Sequence, residues 1–207
     1  MFWVLDGDTL WRNSANPERK SCGDCHGDAK SSMKGVSARY PVAHGQTGAV
    51  TTLEAQVNIC CTARQNAPVL ASESKELLAL TAFLARQSKG ESITVGNSAT
   101  TQAAIARGRM IWERRQGQLN LSCANCHDDN WNGKLAGAPI PQGHSTGYPI
   151  YRLEWQTLGS LQRRSRNRMT GMRAEPYAAG SPEFADLELF LMWRARDLPA
   201  DTPGVRP

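Results

Sequence analysis

The strongest constraint on this chain is a short pattern that occurs twice, as Ser21-Cys22-Gly23-Asp24-Cys25-His26 and Ser122-Cys123-Ala124-Asn125-Cys126-His127. Two thiols at this spacing can each form a thioether to a haem vinyl group, and the histidine that follows is placed to ligate the iron. A structural zinc site is the rival reading of paired cysteines, but it needs two further Cys or His ligands at suitable spacing. Repetition of the whole pattern favours haem. The expectation is two covalently bound haem c groups, with thioethers from Cys22, Cys25, Cys123 and Cys126 and proximal iron ligation by His26 and His127.

The two patterns lie 101 positions apart in a chain of 207 residues, long enough for two halves that each bury a core. Other features repeat with them. Gly7-x-x-x-Trp11 places its Trp 11 residues before Cys22, and Gly108-x-x-x-Trp112 places its Trp 11 residues before Cys123. Near 3.6-residue spacing, Ile105, Gly108 and Trp112 share one face of a helix predicted over 101–115. Glycine on that face admits a close helix partner, and the Trp supplies a large apolar contact. The segment 1–13 reads as the matching helix of the first half. After each motif comes a polar, Gly/Pro-rich stretch and then a second helix. Leu77, Leu80 and Leu84 form the stripe of one over 74–86, with Ser74 as N-cap. Ser181-Pro182-Glu183 opens the other, and Leu187, Phe190, Leu191 and Arg194 continue it. Helix, motif, irregular wrap and helix resemble class I cytochromes c. The expected fold is mostly α, with two cytochrome-c-like domains related by internal duplication: 1–90, holding the first haem, and 91–207, holding the second and the active site. The polar segment Ser88–Ser98 reads as the linker between them, and Leu198–Pro207 as a tail lying along the surface.

Net charge is +5 with a pI near 9.0, yet no Lys/Arg tract of the kind that follows phosphates occurs before residue 163, which argues against nucleic acid. A small anion or an acidic protein suits the charge. No apolar run approaches the roughly 20 residues that span a bilayer. Haem attachment takes place outside the bacterial cytoplasm, so the expected location is the periplasm. The opening Met1-Phe2-Trp3 has no basic n-region or apolar h-region, so the leader is expected to be removed or truncated.

The opposite axial positions have several candidates. Four of the six cysteines are consumed by thioethers, leaving Cys60 and Cys61. Cys60, in Val57-Asn58-Ile59-Cys60, is favoured as a thiolate ligand of the first haem. A buried free thiol or a vicinal disulfide with Cys61 are the alternatives. Methionine is a common ligand in electron-transfer cytochromes; Met33 stands close to the first motif, and Met169 and Met172 follow His127 at plausible distances. His44 and His144 read as surface residues of Gly-rich loops. Gln162-Arg163-Arg164-Ser165-Arg166-Asn167-Arg168 is either a solvated basic face or, on the distal side of the second haem, a set of forked donors for haem carboxylates or an oxyanion.

Three runs carry a closer resemblance: Gln118 to Trp131 around the second motif, Gly147-Tyr148-Pro149-Ile150-Tyr151-Arg152-Leu153-Glu154-Trp155-Gln156, and Arg173-Ala174-Glu175-Pro176-Tyr177. Together with Met33-Lys34-Gly35-Val36 and the Cys60 region they resemble the SoxA family across essentially the whole chain. The resemblance implies a dihaem subunit that pairs with a monohaem cytochrome, SoxX. It also implies an L-cysteine S-thiosulfotransferase activity, in which thiosulfate is oxidatively joined to a cysteine of the carrier protein SoxYZ and electrons pass through haem c. It makes Cys60 the ligand of the first haem and Arg164 a substrate contact. Where the family has Arg-Asn-Cys-Met-Thr-Gly, this chain has Arg166-Asn167-Arg168-Met169-Thr170-Gly171. Arg168 therefore occupies the position of the catalytic, iron-ligating cysteine, and a guanidinium is neither nucleophile nor ligand in ordinary conditions. Met169 is the alternative sixth ligand. A dihaem electron-transfer cytochrome without catalysis is the alternative function.

Overall fold

The computed structural model describes residues 2–14, 16, 18–45 and 47–206; Met1 of the first predicted helix and Pro207 of the tail lie outside the described residues. The first half runs α1 (Phe2–Arg12), α2 (Cys22–His26), α3 (Ala29–Ser32), a 3-10 turn (Ser37–Arg39), β1 (Val42–Ala43), β2 (Val50–Thr51), α4 (Leu53–Gln65) and α5 (Lys75–Arg86). The second runs α6 (Ala99–Glu113), α7 (Cys123–His127), β3 (Lys134–Leu135), β4 (Ala138–Pro139), β5 (Ile150–Arg152), β6 (Thr157–Gly159), α8 (Leu161–Gly171), α9 (Pro182–Arg194) and β7 (Gly204–Arg206). The mostly α, cytochrome-type architecture agrees with expectation.

Two helix crossings build the core, α1 on α5 and α6 on α9. Each has a glycine at its closest point. A Cβ on Gly7 would meet the Ala79 carbonyl oxygen and come within 2.6 Å of Phe83 Cβ. On Gly108 it would meet the Asp186 carbonyl oxygen and come within 2.6 Å of Phe190 Cβ. The tryptophan one turn on is buried in both cases, Trp11 with its ring 5.9 Å from Phe83 and Trp112 5.9 Å from Phe190. The helix starts follow their caps: Ser74 Oγ accepts from Leu77 N, Ser181 Oγ accepts from Phe184 N, and Pro182 sits in the first turn of α9, where no N–H is missed.

The halves are interleaved. The β1–β2 hairpin of the first half packs on α6 and α9 of the second, with Ala43 and Val50 against that core. Arg107 fastens it there, donating to the Gly48 carbonyl and, through a two-pronged pair at 2.6 and 2.7 Å, to the buried Asp186 carboxylate. In return Tyr151 and Leu158 of β5 and β6 pack with Leu78 and Ala82 of α5. A cavity of about 60 Å³ remains between the halves, lined among others by Tyr40, Glu54, Tyr148, Glu188 and Met192.

Two sequence expectations need correction. The Ser88–Ser98 segment is not a solvated linker: Ser88 and Ile93 are fully buried, and its backbone bonds Ala200, Leu198 and Ala38. The tail does not simply lie on the surface either. Ala200 and Thr202 are buried, and β7 pairs in parallel with β5, which also pairs antiparallel with β6. The polar composition misled here because backbone pairing and a small apolar cluster of Ile93, Ala195 and Ala200 together hold both segments.

Candidate haem sites and the arginine cluster

Each Cys-x-x-Cys-His run forms a single helical turn, opened by its own serine. Ser21 Oγ accepts from Asp24 N while Asp24 Oδ2 accepts from Ser21 N, and Ser122 does the same with Asn125. These reciprocal caps stabilise a turn too short to persist alone, on which the two cysteines and the histidine stand at i, i+3 and i+4. All six cysteines are free, Cys60 and Cys61 included, so the pair forms no vicinal disulfide. Among the described residues no three His, Cys, Asp or Glu side chains gather as a metal-ion cluster, so neither cysteine pair has the extra ligands a zinc site needs.

The donor set fits a covalently held haem c, and His127 shows it best. Its Nδ1 lies 2.6 Å from the Pro141 carbonyl oxygen. That oxygen can only accept, so Nδ1 carries the proton and Nε2 keeps its lone pair for a metal. Burial, the largest cause, pushes the imidazole toward its neutral form; the charges of Arg168 and Arg194 add to this, while the Pro141 bond and Asp128 oppose it. The His127 ring lies 5.4 Å from Trp112, and the His26 ring 5.7 Å from Trp11. Burial, then the charge of Cys126, raises the free Cys123 thiol to about 11.

Cys60 lies on α4, half-buried, with Gln56 Nε2 donating to its sulfur at 3.4 Å. Cys61 points into the core with Val57 and Leu80. Met33 packs against that same core. His44 and His144 are exposed, and His44 bonds Thr51 Oγ1. Met169 and Met172 belong to the second core, against which Cys123 and Ala124 pack.

The arginine run forms α8, capped by the buried Ser160 and tied to the first half by Glu73, which accepts from Ser160 N. Its members have different fates. Arg163 lies over the Trp155 ring at 4.4 Å and pairs Glu73. Arg164 is mostly buried and donates to Glu154 Oε1, which also accepts from Arg152. Burial, then the charges of Arg168 and Arg152, lower the Arg164 pKa. Arg166 and Arg168 are exposed. Tyr148 lies in the field of Arg164, Arg152, Arg168 and Arg206. The charge of Arg168 thus acts on both His127 and Arg164. The residue types of the run alone could not reveal Glu154 as the shared anchor of Arg152 and Arg164, nor the ties of Asp128 and Arg194 around His127.

The SoxA/TsdA, cytochrome c domain family matches residues 6–93 and 107–200. An L-cysteine S-thiosulfotransferase subunit SoxA of Rhodovulum sulfidophilum is 34% identical over 206 residues, spanning 100% of this chain and 72% of that protein. The protein of the same name in Pseudaminobacter salicylatoxidans is 32% identical, with 100% and 72% covered. The crystal structure of SoxXA from P. pantotrophus superposes with a TM-score of 0.95 at 30% identity, covering 100% of this chain and 78% of that one. On this agreement of motif, fold and sequence, the chain belongs to the SoxA/TsdA cytochrome c domain family.

Proposed function

We propose that this chain is the dihaem cytochrome subunit of a SoxAX-type complex, pairing with a SoxX-like monohaem cytochrome and joining thiosulfate to a cysteine of a SoxYZ-like carrier in the periplasm. The observation that carries the reading is the pair of capped Cys-x-x-Cys-His turns in a chain 34% identical, along its whole length, to a protein named L-cysteine S-thiosulfotransferase subunit SoxA. The solved relative is titled as a SoxXA structure, which supports the partner. No helix among the described residues is long and apolar enough to cross a membrane. Matching Gly–Trp crossings support an internal duplication with halves 1–90 and 91–207. The hairpin exchange makes that boundary one of chain order rather than of separate packing.

The reaction forms one S–S bond, between the carrier cysteine sulfur and the outer sulfur of thiosulfate, with loss of the thiol proton and release of two electrons. Haem c, when bound at His26 and His127, supplies one-electron acceptors for them. Arg164, oriented by Glu154, holds the thiosulfate oxygens through charge-assisted hydrogen bonds. Arg168 occupies the active-site position and adds a second cation for a dianionic substrate. It offers no sulfur, so the two substrate sulfurs join directly. Cys60 would supply a sulfur ligand to the first haem, with Gln56 Nε2 donating to that sulfur. Met169, buried in the core against which Cys123 and Ala124 pack, would be the alternative sulfur ligand at the second haem.

A second reading rests on Arg168 alone. With no thiolate at the active-site position, the chain transfers electrons without catalysis. Thiosulfate- and carrier-dependent turnover of the holoprotein with its monohaem partner separates the two. Turnover by the unaltered chain supports the first. Turnover only after Arg168→Cys supports the second.

A further inference from the structure

Around His127 the chain makes a set of contacts that has no counterpart at His26 among the described residues. The loop from Asp128 to Gly143 leaves α7, forms the β3–β4 hairpin and returns to place the Pro141 carbonyl on His127 Nδ1. Both ends of this loop meet one side chain. Arg194, the last residue of α9, donates from Nη2 to Asp128 Oδ1 at 2.6 Å and to the Gln142 carbonyl oxygen at 2.9 Å. The other Asp128 oxygen accepts from Trp112 Nε1 at 2.6 Å. The guanidinium lies over the Trp112 ring at 4.8 Å, which sets the direction of its donors. On the same indole, a Cβ at Gly143 would come within 2.7 Å of Cη2, so the returning strand is pressed close. Arg194 Nε is buried with no hydrogen-bond partner, the one such side-chain atom found among the described residues. The side chain thus accepts an unsatisfied donor while Nη2 alone bridges Asp128 and Gln142.

Among its described residues the first half lacks this arrangement. Gln87 stands four residues beyond Phe83, as Arg194 stands four beyond Phe190, but its Nε2 donates to the Phe83 carbonyl of its own helix. The residue after His26 is Gly27, whose carbonyl accepts from Trp11 Nε1. The helix crossing therefore forms without a staple, and its presence in the second half is not a requirement of the fold.

We propose that Arg194 is a positioning residue for His127: by stapling Asp128 to Gln142 it holds the Pro141 carbonyl on Nδ1 and so fixes the orientation and basicity of the imidazole offered to the second haem. This rests on the reading of His127 as an iron ligand. A firm Nδ1–H···O bond makes the ring a stronger donor, which favours ferric iron and keeps the potential of that haem low. Loosening the loop weakens the bond and raises the potential.

The test uses the holoprotein with both haems and the variants Arg194→Lys and Arg194→Met, read by redox titration and electron paramagnetic resonance. Lysine keeps the charge but lacks the planar guanidinium that lies over Trp112 and aims Nη2 at both acceptors. The expected result is that Arg194→Lys raises the midpoint potential and shifts the g values of the second haem, with the first unchanged. Two outcomes overturn the proposal: a second-haem signal and potential in Arg194→Lys that coincide with the unaltered protein, or a potential lowered in Arg194→Met and unmoved in Arg194→Lys, which is the signature of charge alone. Pulsed resonance on the unaltered protein separates the underlying reading. Absence of coordinated-imidazole nitrogen couplings at the second haem removes His127 as ligand, and the proposal with it; their presence with an unmoved Arg194→Lys removes only the staple.

Discussion

Gly108→Ala is the sharpest perturbation of the frame that carries the second Cys-x-x-Cys-His turn. Alanine gains about 1 kcal/mol in a helix interior relative to glycine, so the change stabilises if the crossing has room. It has none. The added Cβ would meet the Asp186 carbonyl oxygen, its carbonyl carbon at 2.8 Å and Phe190 Cβ at 2.6 Å. Two of these are backbone and the third is the root of a side chain, so none can rotate away and α9 itself must retreat. Retreat also stretches the Arg107–Asp186 pair, which joins the same two helices at 2.6 Å. Overpacking of this kind costs about 3–4 kcal/mol, at or above the upper end of the usual range, and the helix gain leaves a net loss of about 2–3 kcal/mol. For a chain of this size that lowers Tm by about 5–10 °C. Thermal unfolding of the holoprotein, followed by circular dichroism, measures it. Gly171→Ala is the control: no atom lies within 4 Å of its added Cβ and its φ is not positive, so its Tm stays level or rises slightly. A Gly108→Ala protein as stable as this control would refute the close-approach reasoning.

Arg107→Ala strips two donors from the buried Asp186 carboxylate and releases the hairpin at Gly48. The expected loss is about 2 kcal/mol in denaturant unfolding, discounted because the arginine is partly exposed, and no loss would show the pair to be neutral. Across the central cavity, burial raises the Glu188 carboxyl to about 7. Burial, then the charges of Glu188 and Glu73, also push Glu54 well up. At these two carboxyls the folded chain therefore binds more protons than the unfolded one between about pH 4.5 and 7, and the stability they contribute falls as pH rises through that window. Tm measured from pH 5 to 8 should decline less steeply in Glu188→Gln, and identical slopes would remove Glu188 as a cause. Cys60→Ala should abolish thiolate-type absorption at the first haem while leaving the second unchanged; an unaltered spectrum excludes Cys60 as ligand.

Features governed by local chemistry were legible in the sequence. Ser74, Ser181 and Pro182 mark the starts of α5 and α9, and Gly7, Trp11, Gly108 and Trp112 mark the two crossings before any coordinates are seen. Features set by distant partners were not. Helix α4 buries only Val57 and Cys61, too thin a stripe to register, and its Asn58 is held instead by the Leu70 backbone. The strand β7 exists because β5, some fifty residues earlier, offers a free edge; three residues carry no period of their own. At the site, the arginine run was visible but its division of labour was not, because Glu73, Glu154 and Trp155 choose among the arginines only once folded. Arg194 read only as a continuation of the second half's last helix, and nothing in α9 signals the loop it closes.

The most direct measurement is the intact mass of the holoprotein after its free thiols have been alkylated under denaturing, non-reducing conditions. Two haems should be added to the 22.7 kDa chain, with alkylation at Cys60 and Cys61 and none at Cys22, Cys25, Cys123 or Cys126. A mass with a single haem, or alkylation of either cysteine pair that precedes His26 and His127, would contradict the account at its foundation.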